Sequence, residues 1–153
     1  MTEWTTSVSR EIAADPLTIW NAVTDITRMG EWSPECHTCT WDDGFSGPEV
    51  GAVFTGQNRN GEFEWTTQAK ITDAVPGERF AFDAMARDFV FAKWAYEFEA
   101  TEGGTLVTEH ALDLRPEAIK ERGASISGVE DRDTRNRENM QATLDRLAAA
   151  LEG

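Results

Sequence analysis

Residues 131–151 read DRDTRNRENMQATLDRLAAAL, and the apolar side chains in this run recur with the period of an α-helix. They are spaced i, i+4, i+7, i+8 and i+11, at Met140, Leu144, Leu147, Ala148 and Leu151. Charged and polar residues occupy most of the remaining positions. The pattern predicts a C-terminal helix of about five turns with one apolar stripe, which must be buried against another element.

The middle of the chain supplies that element, because it consists of short runs rich in aromatic and β-branched residues. Turn sequences separate the later runs: NRNG, VPGE, ARD and TEGG. Links this short are typical of hairpins, so the runs predict one antiparallel meander. With the alternating segment 3–12 at the start of the chain, seven strands are expected; the other six are 36–41, 52–59, 63–75, 79–86, 89–100 and 105–114.

Alternation within these strands predicts one aromatic face and one wet face, as expected when a helix covers only one side of a sheet. The predicted inner positions are Trp65, Thr67, Ala69, Ile71, Phe80, Phe82, Trp94, Tyr96 and Phe98. The last strand has two possible phases. Either His110 faces inward, together with Leu106, Thr108 and Leu112, or Glu109 does, together with Val107 and Ala111. A bulge would exchange the two faces, so alternation leaves this choice open.

Two short helical segments are predicted between the first and second strands. Asp15 is a good N-cap and Pro16 a good first helical residue, and apolar residues follow at helical spacing. A second helical turn is expected in TRMGEWSP, residues 27–34. The polar segment 115–131, interrupted by Gly123 and Gly128, predicts a loop with at most one helical turn.

The motif ECHTC, residues 35–39, has the appearance of a metal or redox site. A structural zinc site needs four ligands, and Cys36, His37 and Cys39 provide three. Haem attachment places the histidine after the second cysteine, and here it lies between the two. Because the motif runs into a strand, the two thiols are expected to point to opposite faces. We therefore predict two buried thiols with no metal and no redox role.

Length and composition limit the class of protein. A chain of 153 residues with 40% hydrophobic residues suits a single globular domain, residues 1–153. It has no apolar run long enough to insert in a membrane and no signal-peptide pattern, which predicts a cytoplasmic protein. The 28 acidic and 14 basic residues give a net charge of −14, which disfavours nucleic acid and anionic membranes as partners. Composition leaves the oligomeric state open between monomer and homodimer.

Motifs for catalysis are absent from the sequence. Only His37 and His110 could serve in a nucleophile–histidine arrangement, and neither has a nucleophile-elbow sequence nearby. No phosphate-binding or dinucleotide-binding glycine motif is present. No catalytic residue, no metal and no cofactor are therefore predicted.

Four segments together resemble the SRPBCC superfamily, which includes START domains and birch-pollen-allergen-like proteins, and within it the polyketide cyclase/dehydrase-like branch. They are AADPLTIWNAVTDITRMGEWSPE (13–35), GPEVGAVFTGQNRNG (47–61), KWAYEFEATEGGTLVTE (93–109) and RNRENMQATLDRLAAALE (135–152). The resemblance implies an α+β helix-grip fold, in which a curved antiparallel sheet of about seven strands wraps around the long C-terminal helix. It also implies a cavity for a small hydrophobic molecule.

The resemblance leaves three functions open. The first is binding of a mainly hydrophobic, aromatic or lipid-like molecule without catalysis. The second is a polyketide cyclase, aromatase or dehydratase that uses Glu109, His110 or Tyr96 for proton transfer. Such enzymes resemble this chain but place an arginine at the pocket floor, where this sequence has Ala69 and an outward Lys70; that difference favours binding. The third is a toxin-like protein-interaction module. The predicted ligand-binding residues are Trp65, Thr67, Phe82, Trp94, Tyr96, Glu109, His110 and Met140, with Trp20 and Trp32 assigned to packing or to the mouth.

Overall fold

A computed structural model describes residues 3–152 and shows an α+β helix-grip fold. All seven strands form one antiparallel sheet in the order β1-β7-β6-β5-β4-β3-β2. The elements are β1 Thr6–Ile12, α1 Pro16–Thr24, a 3₁₀ helix Ile26–Glu31, β2 Cys36–Trp41, β3 Val53–Asn60, β4 Phe63–Val75, β5 Arg79–Ala86, β6 Phe89–Thr101, β7 Gly104–Asp113, α2 Glu117–Ser127 and α3 Arg132–Leu151. Among the helices of residues 3–152, none is long and apolar enough to cross a membrane.

The two short helices after β1 form where the sequence predicts them. The carboxylate of Asp15 accepts a hydrogen bond from the backbone N–H of Thr18 at 3.1 Å, and Pro16 opens α1. Asp25 ends α1 and caps the following 3₁₀ helix by accepting from the backbone N–H of Thr27. Trp20 is buried and donates its indole N–H to the carbonyl oxygen of Arg79, which fixes α1 against β5.

The 3₁₀ helix lies directly against the backbone of β2. A Cβ atom at Gly30 would overlap the carbonyl oxygen of His37, so only glycine allows this approach. This contact holds β2, the last strand of the sheet on that side, against the short helices. It also sets the position of the side chains that β2 presents to the interior.

Helix α3 buries the predicted apolar stripe against the sheet, with β1 as its main partner. Its first turn is capped by Asp131, whose carboxylate accepts from the backbone N–H of Thr134 at 3.1 Å. Met140, Leu144 and Leu147 are almost completely buried. The spacing read from the sequence is thus confirmed.

The prediction of a loop over residues 115–131 is wrong, because Glu117–Ser127 forms the helix α2. Pro116 stands at its N-cap, and Gly128, with φ of 73°, ends it in the left-handed conformation. Gly123 lies inside the helix, and a Cβ atom there would come 2.8 Å from Arg115 Nη1, the end of a flexible side chain. α2 packs on β4, where Gly128 lies against the ring of Phe63. Its apolar pattern is weak because α2 covers one end of the sheet and buries only one residue completely.

Candidate functional site

A cavity of about 490 Å³ lies between the inner face of the sheet and helices α2 and α3. Strands β4 to β6 supply its aromatic wall, including Trp65, Phe82 and Trp94. Phe89 and Ile126 also line it and are 41% and 48% exposed, which marks the end where the cavity opens to solvent. The volume falls within the range of about 300–1,000 Å³ that is usual for small-molecule pockets.

Three alanines explain why this space is not filled by side chains. Ala69 on β4 pairs with Ala84 on β5, and Ala84 pairs in turn with Ala92 on β6. All three line the cavity, so a row of methyl groups crosses the middle of the sheet. Helix α3 packs chiefly on β1, the strand at one edge of the sheet, and does not fill the space above the alanine row.

The structure places seven of the eight predicted ligand-binding residues along the cavity: Trp65, Thr67, Phe82, Trp94, Tyr96, Glu109 and Met140. Lys70 is exposed, as its position on β4 predicts, while Ala69 faces the cavity. The family's arginine thus has no counterpart here: at this part of the floor the cavity is lined by the methyl group of Ala69. Whether these residues bind a ligand remains a prediction.

The expectation that His110 could face the cavity is corrected. The pairing of β7 with both neighbours runs without a bulge, so Val107, Glu109 and Ala111 face inward and His110 faces the other side. There its Nδ1 lies 2.7 Å from the hydroxyl oxygen of Ser7, and its ring stacks on Trp4 with a centroid distance of 4.8 Å. His110 therefore lies on the outer face of the sheet, where its side chain is only 12% exposed.

Glu109 is the buried acid of the cavity wall, and it stands directly opposite Tyr96 in the β6–β7 pairing. Glu109 is only 4% exposed, and its Oε1 has no hydrogen-bond partner within residues 3–152. Burial raises the pKa of Glu109 to about 8, although interaction with the Tyr96 hydroxyl acts in the opposite direction. At neutral pH the carboxyl group is thus mainly protonated, so it can donate a hydrogen bond.

A second polar cluster joins the start of β2 to helix α3 at the cavity wall. Arg132 donates to Glu35 Oε1 at 2.5 Å, and the side-chain amide of Asn139 donates to the same oxygen at 2.6 Å. The Arg132 guanidinium also lies 5.9 Å from the ring centroid of Trp65. Sequence reasoning missed this cluster. No signal in the sequence indicates it, since Arg132 and Asn139 lie in a polar run and their partner Glu35 is about a hundred positions away.

The prediction that the two thiols diverge is also wrong. A register shift in the β2–β3 pairing, where Cys36 pairs with Asn58 and Thr38 with Gln57, makes His37 an extra residue. Both Cys36 and Cys39 consequently face the cavity, with their Sγ atoms 2.9 Å apart. In the part of the chain that the structure describes, no group of three or more His, Cys, Asp or Glu residues is arranged to hold a metal.

Comparison with known families agrees with this architecture. The family model described as polyketide cyclase/dehydrase and lipid transport matches residues 3–152. The chain belongs to this family. A search of curated proteins gives no match.

Solved structures of members and neighbours share the fold of this polyketide cyclase/dehydrase-like chain. A polyketide-cyclase-like protein of Corynebacterium glutamicum, solved by NMR, is 32% identical, with a TM-score of 0.64 and coverage of 99% of this chain and 94% of that one. A protein of Chromobacterium violaceum is 17% identical, with a TM-score of 0.70 and 97% coverage of both chains. One di-domain ARO/CYC, from the steffimycin biosynthetic pathway, is 14% identical with a TM-score of 0.72; 96% of this chain matches 50% of that protein.

Proposed function

We propose that this protein binds a small, mainly apolar molecule in the cavity between the sheet and helices α2 and α3, without transforming it. The single observation that carries the proposal is an apolar cavity of about 490 Å³ with a buried, partner-free carboxyl oxygen, Glu109 Oε1, in its wall. An apolar space of this size favours a ligand by burial of its surface, at roughly 25 cal/mol per Å². The acid selects among such ligands, since a buried polar atom gains a hydrogen bond only if the ligand supplies the partner.

The protonation state of Glu109 indicates what that partner is. With its pKa raised to about 8, the neutral carboxyl group is a donor at physiological pH. A ligand carbonyl, ether or hydroxyl oxygen would accept this bond. A ligand carboxylate would also accept it, but beside Glu109 its charge would be buried at a large cost, and two of the three arginines that line the cavity, Arg115 and Arg132, are already paired with Asp113 and Glu35. We therefore infer a neutral, oxygen-bearing, apolar ligand such as an aromatic ketone or phenol.

Thr67 is a second polar group that can orient such a ligand. Its hydroxyl oxygen accepts a hydrogen bond from the Asn58 side-chain amide at 3.2 Å, and the same amide lies 3.3 Å from the carbonyl oxygen of Trp65. The bond from Asn58 uses the Thr67 hydroxyl oxygen as an acceptor, so the hydroxyl proton is available to a ligand in the cavity. Thr67 and Glu109 would then hold two separate oxygens of one flat molecule.

Proton-transfer chemistry of the cyclase or dehydratase kind is the second candidate. The observation that favours it is the Glu109–Tyr96 pair, because an acid with a pKa of about 8 can both give and take a proton near neutral pH. The missing arginine at the floor favours binding over this reaction. Cytoplasmic location, a single domain over residues 1–153 and a monomeric or homodimeric state stay predictions.

Tryptophan fluorescence and thermal shift can test the binding proposal, with a panel of anthraquinones, naphthols, flavonoids and fatty acids. The informative variant is Ala84→Leu, which fills the alanine row, and its matched control is Ala81→Leu, the same change on the opposite face of β5. We expect at least one aromatic ketone or phenol to bind wild-type and Ala81→Leu protein, and to bind Ala84→Leu at least tenfold more weakly.

Two further measurements separate the outcomes. Affinity for the ligand should fall above pH 8 in the wild type, as Glu109 loses its proton, and should stay level in Glu109→Gln. Product analysis after prolonged incubation distinguishes binding from conversion: an altered ligand would move the cyclase reading to first place. If no compound in the panel shifts the fluorescence or the melting temperature, the binding proposal fails, and a protein-interaction role becomes the better hypothesis.

A further inference from the structure

The two cysteines of the ECHTC motif form a pair in the cavity wall that the binding proposal does not use. Cys36 Sγ and Cys39 Sγ are 2.9 Å apart, and both residues are buried and unbridged. Met29 extends the sulfur-rich patch, with its Sδ 3.6 Å from Cys39 Sγ. All three residues line the cavity, so a molecule inside it can reach the thiols.

Local structure brings the pair together in two ways. The bulge at His37 places side chains three positions apart on the same face, which regular alternation would prevent. Gly56, the pairing partner of Cys39 on β3, then leaves the space beside the sulfurs empty. A Cβ atom there would lie 3.4 Å from Cys36 Sγ and 3.5 Å from Cys39 Sγ. The two sulfurs already face one another at 2.9 Å, and a disulfide bond requires this separation to fall to about 2.05 Å.

We propose that Cys36 and Cys39 are a reactive dithiol that apolar organic hydroperoxides oxidise to an intramolecular disulfide. The Cys36 thiolate attacks the terminal oxygen of the hydroperoxide. The O–O bond breaks, giving a sulfenic acid at Cys36 and an alkoxide that takes up a proton and leaves as the alcohol. The Cys39 thiol then attacks the sulfenic sulfur and expels water. In sum, two thiols and one hydroperoxide give one disulfide, one alcohol and one water, and two electrons pass from sulfur to oxygen.

The two thiols differ in pKa, and the difference is in the direction that these two steps require. Hydrogen bonding from the Cys39 thiol lowers the pKa of Cys36, against the effect of burial. The same bond and burial raise the pKa of Cys39. Cys36 is therefore the thiolate that attacks first, and Cys39 keeps its proton until the second step.

The cavity decides which hydroperoxides react. Its aromatic and aliphatic wall favours a peroxide with an apolar body over hydrogen peroxide, which gains little from burial. Charged disulfides such as oxidised glutathione would have to lose their hydration to enter. The reaction requires access to the cavity but no resident ligand, so it stands or falls independently of the proposed function.

Intact-mass measurement of the reduced protein after treatment with cumene hydroperoxide is the direct test. We expect the wild type to lose two hydrogen atoms, to lose both free thiols, and to recover both with dithiothreitol. Cys39→Ser should stop at the Cys36 sulfenic acid, a gain of one oxygen that dimedone traps. Cys36→Ser should consume cumene hydroperoxide at least tenfold more slowly than the wild type does. Hydrogen peroxide should oxidise the wild type at least tenfold more slowly than cumene hydroperoxide does.

Several results would overturn the proposal. One is a wild-type mass that does not change, or that only gains oxygen. Disulfide-linked dimers in place of the intramolecular bridge are another. Equal rates with the two peroxides would refute the apolar substrate class, and equal rates for the two single variants would refute the order of steps. The wild-type measurement needs no variant to fold, and a peptide map assigns the bridge to Cys36 and Cys39.

Discussion

Replacing Glu109 with glutamine tests the most unusual electrostatic feature of the structure, a carboxyl group kept inside an apolar cavity. Glutamine keeps the size and the hydrogen-bonding capacity of the side chain and removes its ability to ionise. Burial raises the pKa of Glu109 from 4.5 to about 8 in the folded state. Between these two values the folded protein holds a proton that the unfolded chain has released, so stability falls as the pH rises through this window. Below the lower value both states are protonated, and the penalty disappears.

The size of the effect follows from the shift. A displacement of about 3.5 units corresponds to about 5 kcal/mol of free energy, at 1.36 kcal/mol per unit, once the pH is above both values. From pH 5.5 to pH 8.5 the ionisation of Glu109 lowers the unfolding free energy of the wild type by about 3 kcal/mol. This is less than the full value of about 5 kcal/mol because part of the loss already occurs below pH 5.5. Because Glu109 is 4% exposed, solvent screening does not reduce this figure much.

Urea unfolding at four values between pH 5.5 and pH 8.5, at constant ionic strength, gives the difference in unfolding free energy between Glu109→Gln and the wild type. We expect the unfolding free energy of the variant, relative to that of the wild type, to increase by about 3 kcal/mol from the lowest to the highest pH. Glu99→Gln, a matched change at an exposed position of the neighbouring strand β6, should show no such trend. If the difference for Glu109→Gln is the same at every pH, Glu109 titrates as an ordinary carboxylate, and the argument for a neutral hydrogen-bond donor in the cavity is refuted.

Three substitutions test the frame around the cavity by thermal and urea unfolding. Leu144→Asp should abolish the cooperative transition or lower the free energy of unfolding by more than about 4 kcal/mol, because it buries a carboxylate without a partner. Its control, Leu17→Asp at a 49% exposed site, should melt like the parent. Gly30→Ala should cost roughly 1–3 kcal/mol, since the methyl group overlaps the backbone of β2, and an unchanged melting temperature would contradict that close approach. Arg132→Met should cost roughly 3–5 kcal/mol by leaving Glu35 buried without its cation, and combining it with Glu35→Gln should restore much of the loss; additive losses would show that the pair is not coupled.

Most of the fold could be predicted from the sequence because each major element carries a strong periodic signal. The α3 stripe and the alternation of β4 and β6 both come from burial on one face, and burial is what produces hydrophobic periodicity. Helix α2 lacked that signal because it covers one end of the sheet and buries only Ser127 completely. A helix that packs mainly on one strand, β4, and buries so few side chains leaves little apolar pattern to detect.

The candidate site was predictable only where strand alternation holds. It placed Trp65, Thr67 and Trp94 correctly, but it could not choose between Glu109 and His110, since either phase of β7 gives an acceptable pattern. The absence of a bulge in β7 settles that choice, and the presence of one in β2 reverses the expectation for the cysteines. A bulge depends on how two strands pair, which a single strand's sequence does not encode.

The same pairings explain why the cavity combines three different chemical groups within one wall. The alanine row on β4 to β6 provides the space, the unbroken register of β7 turns an acid into that space, and the bulge of β2 adds two thiols. Each of these features carries a cost or forgoes a gain in stability: small side chains give up packing, a buried acid gives up hydration, and a bulge gives up ladder hydrogen bonds. Three such features meet at one place, which is typical of a site for binding or chemistry, because a structural core alone would gain stability from losing each of them.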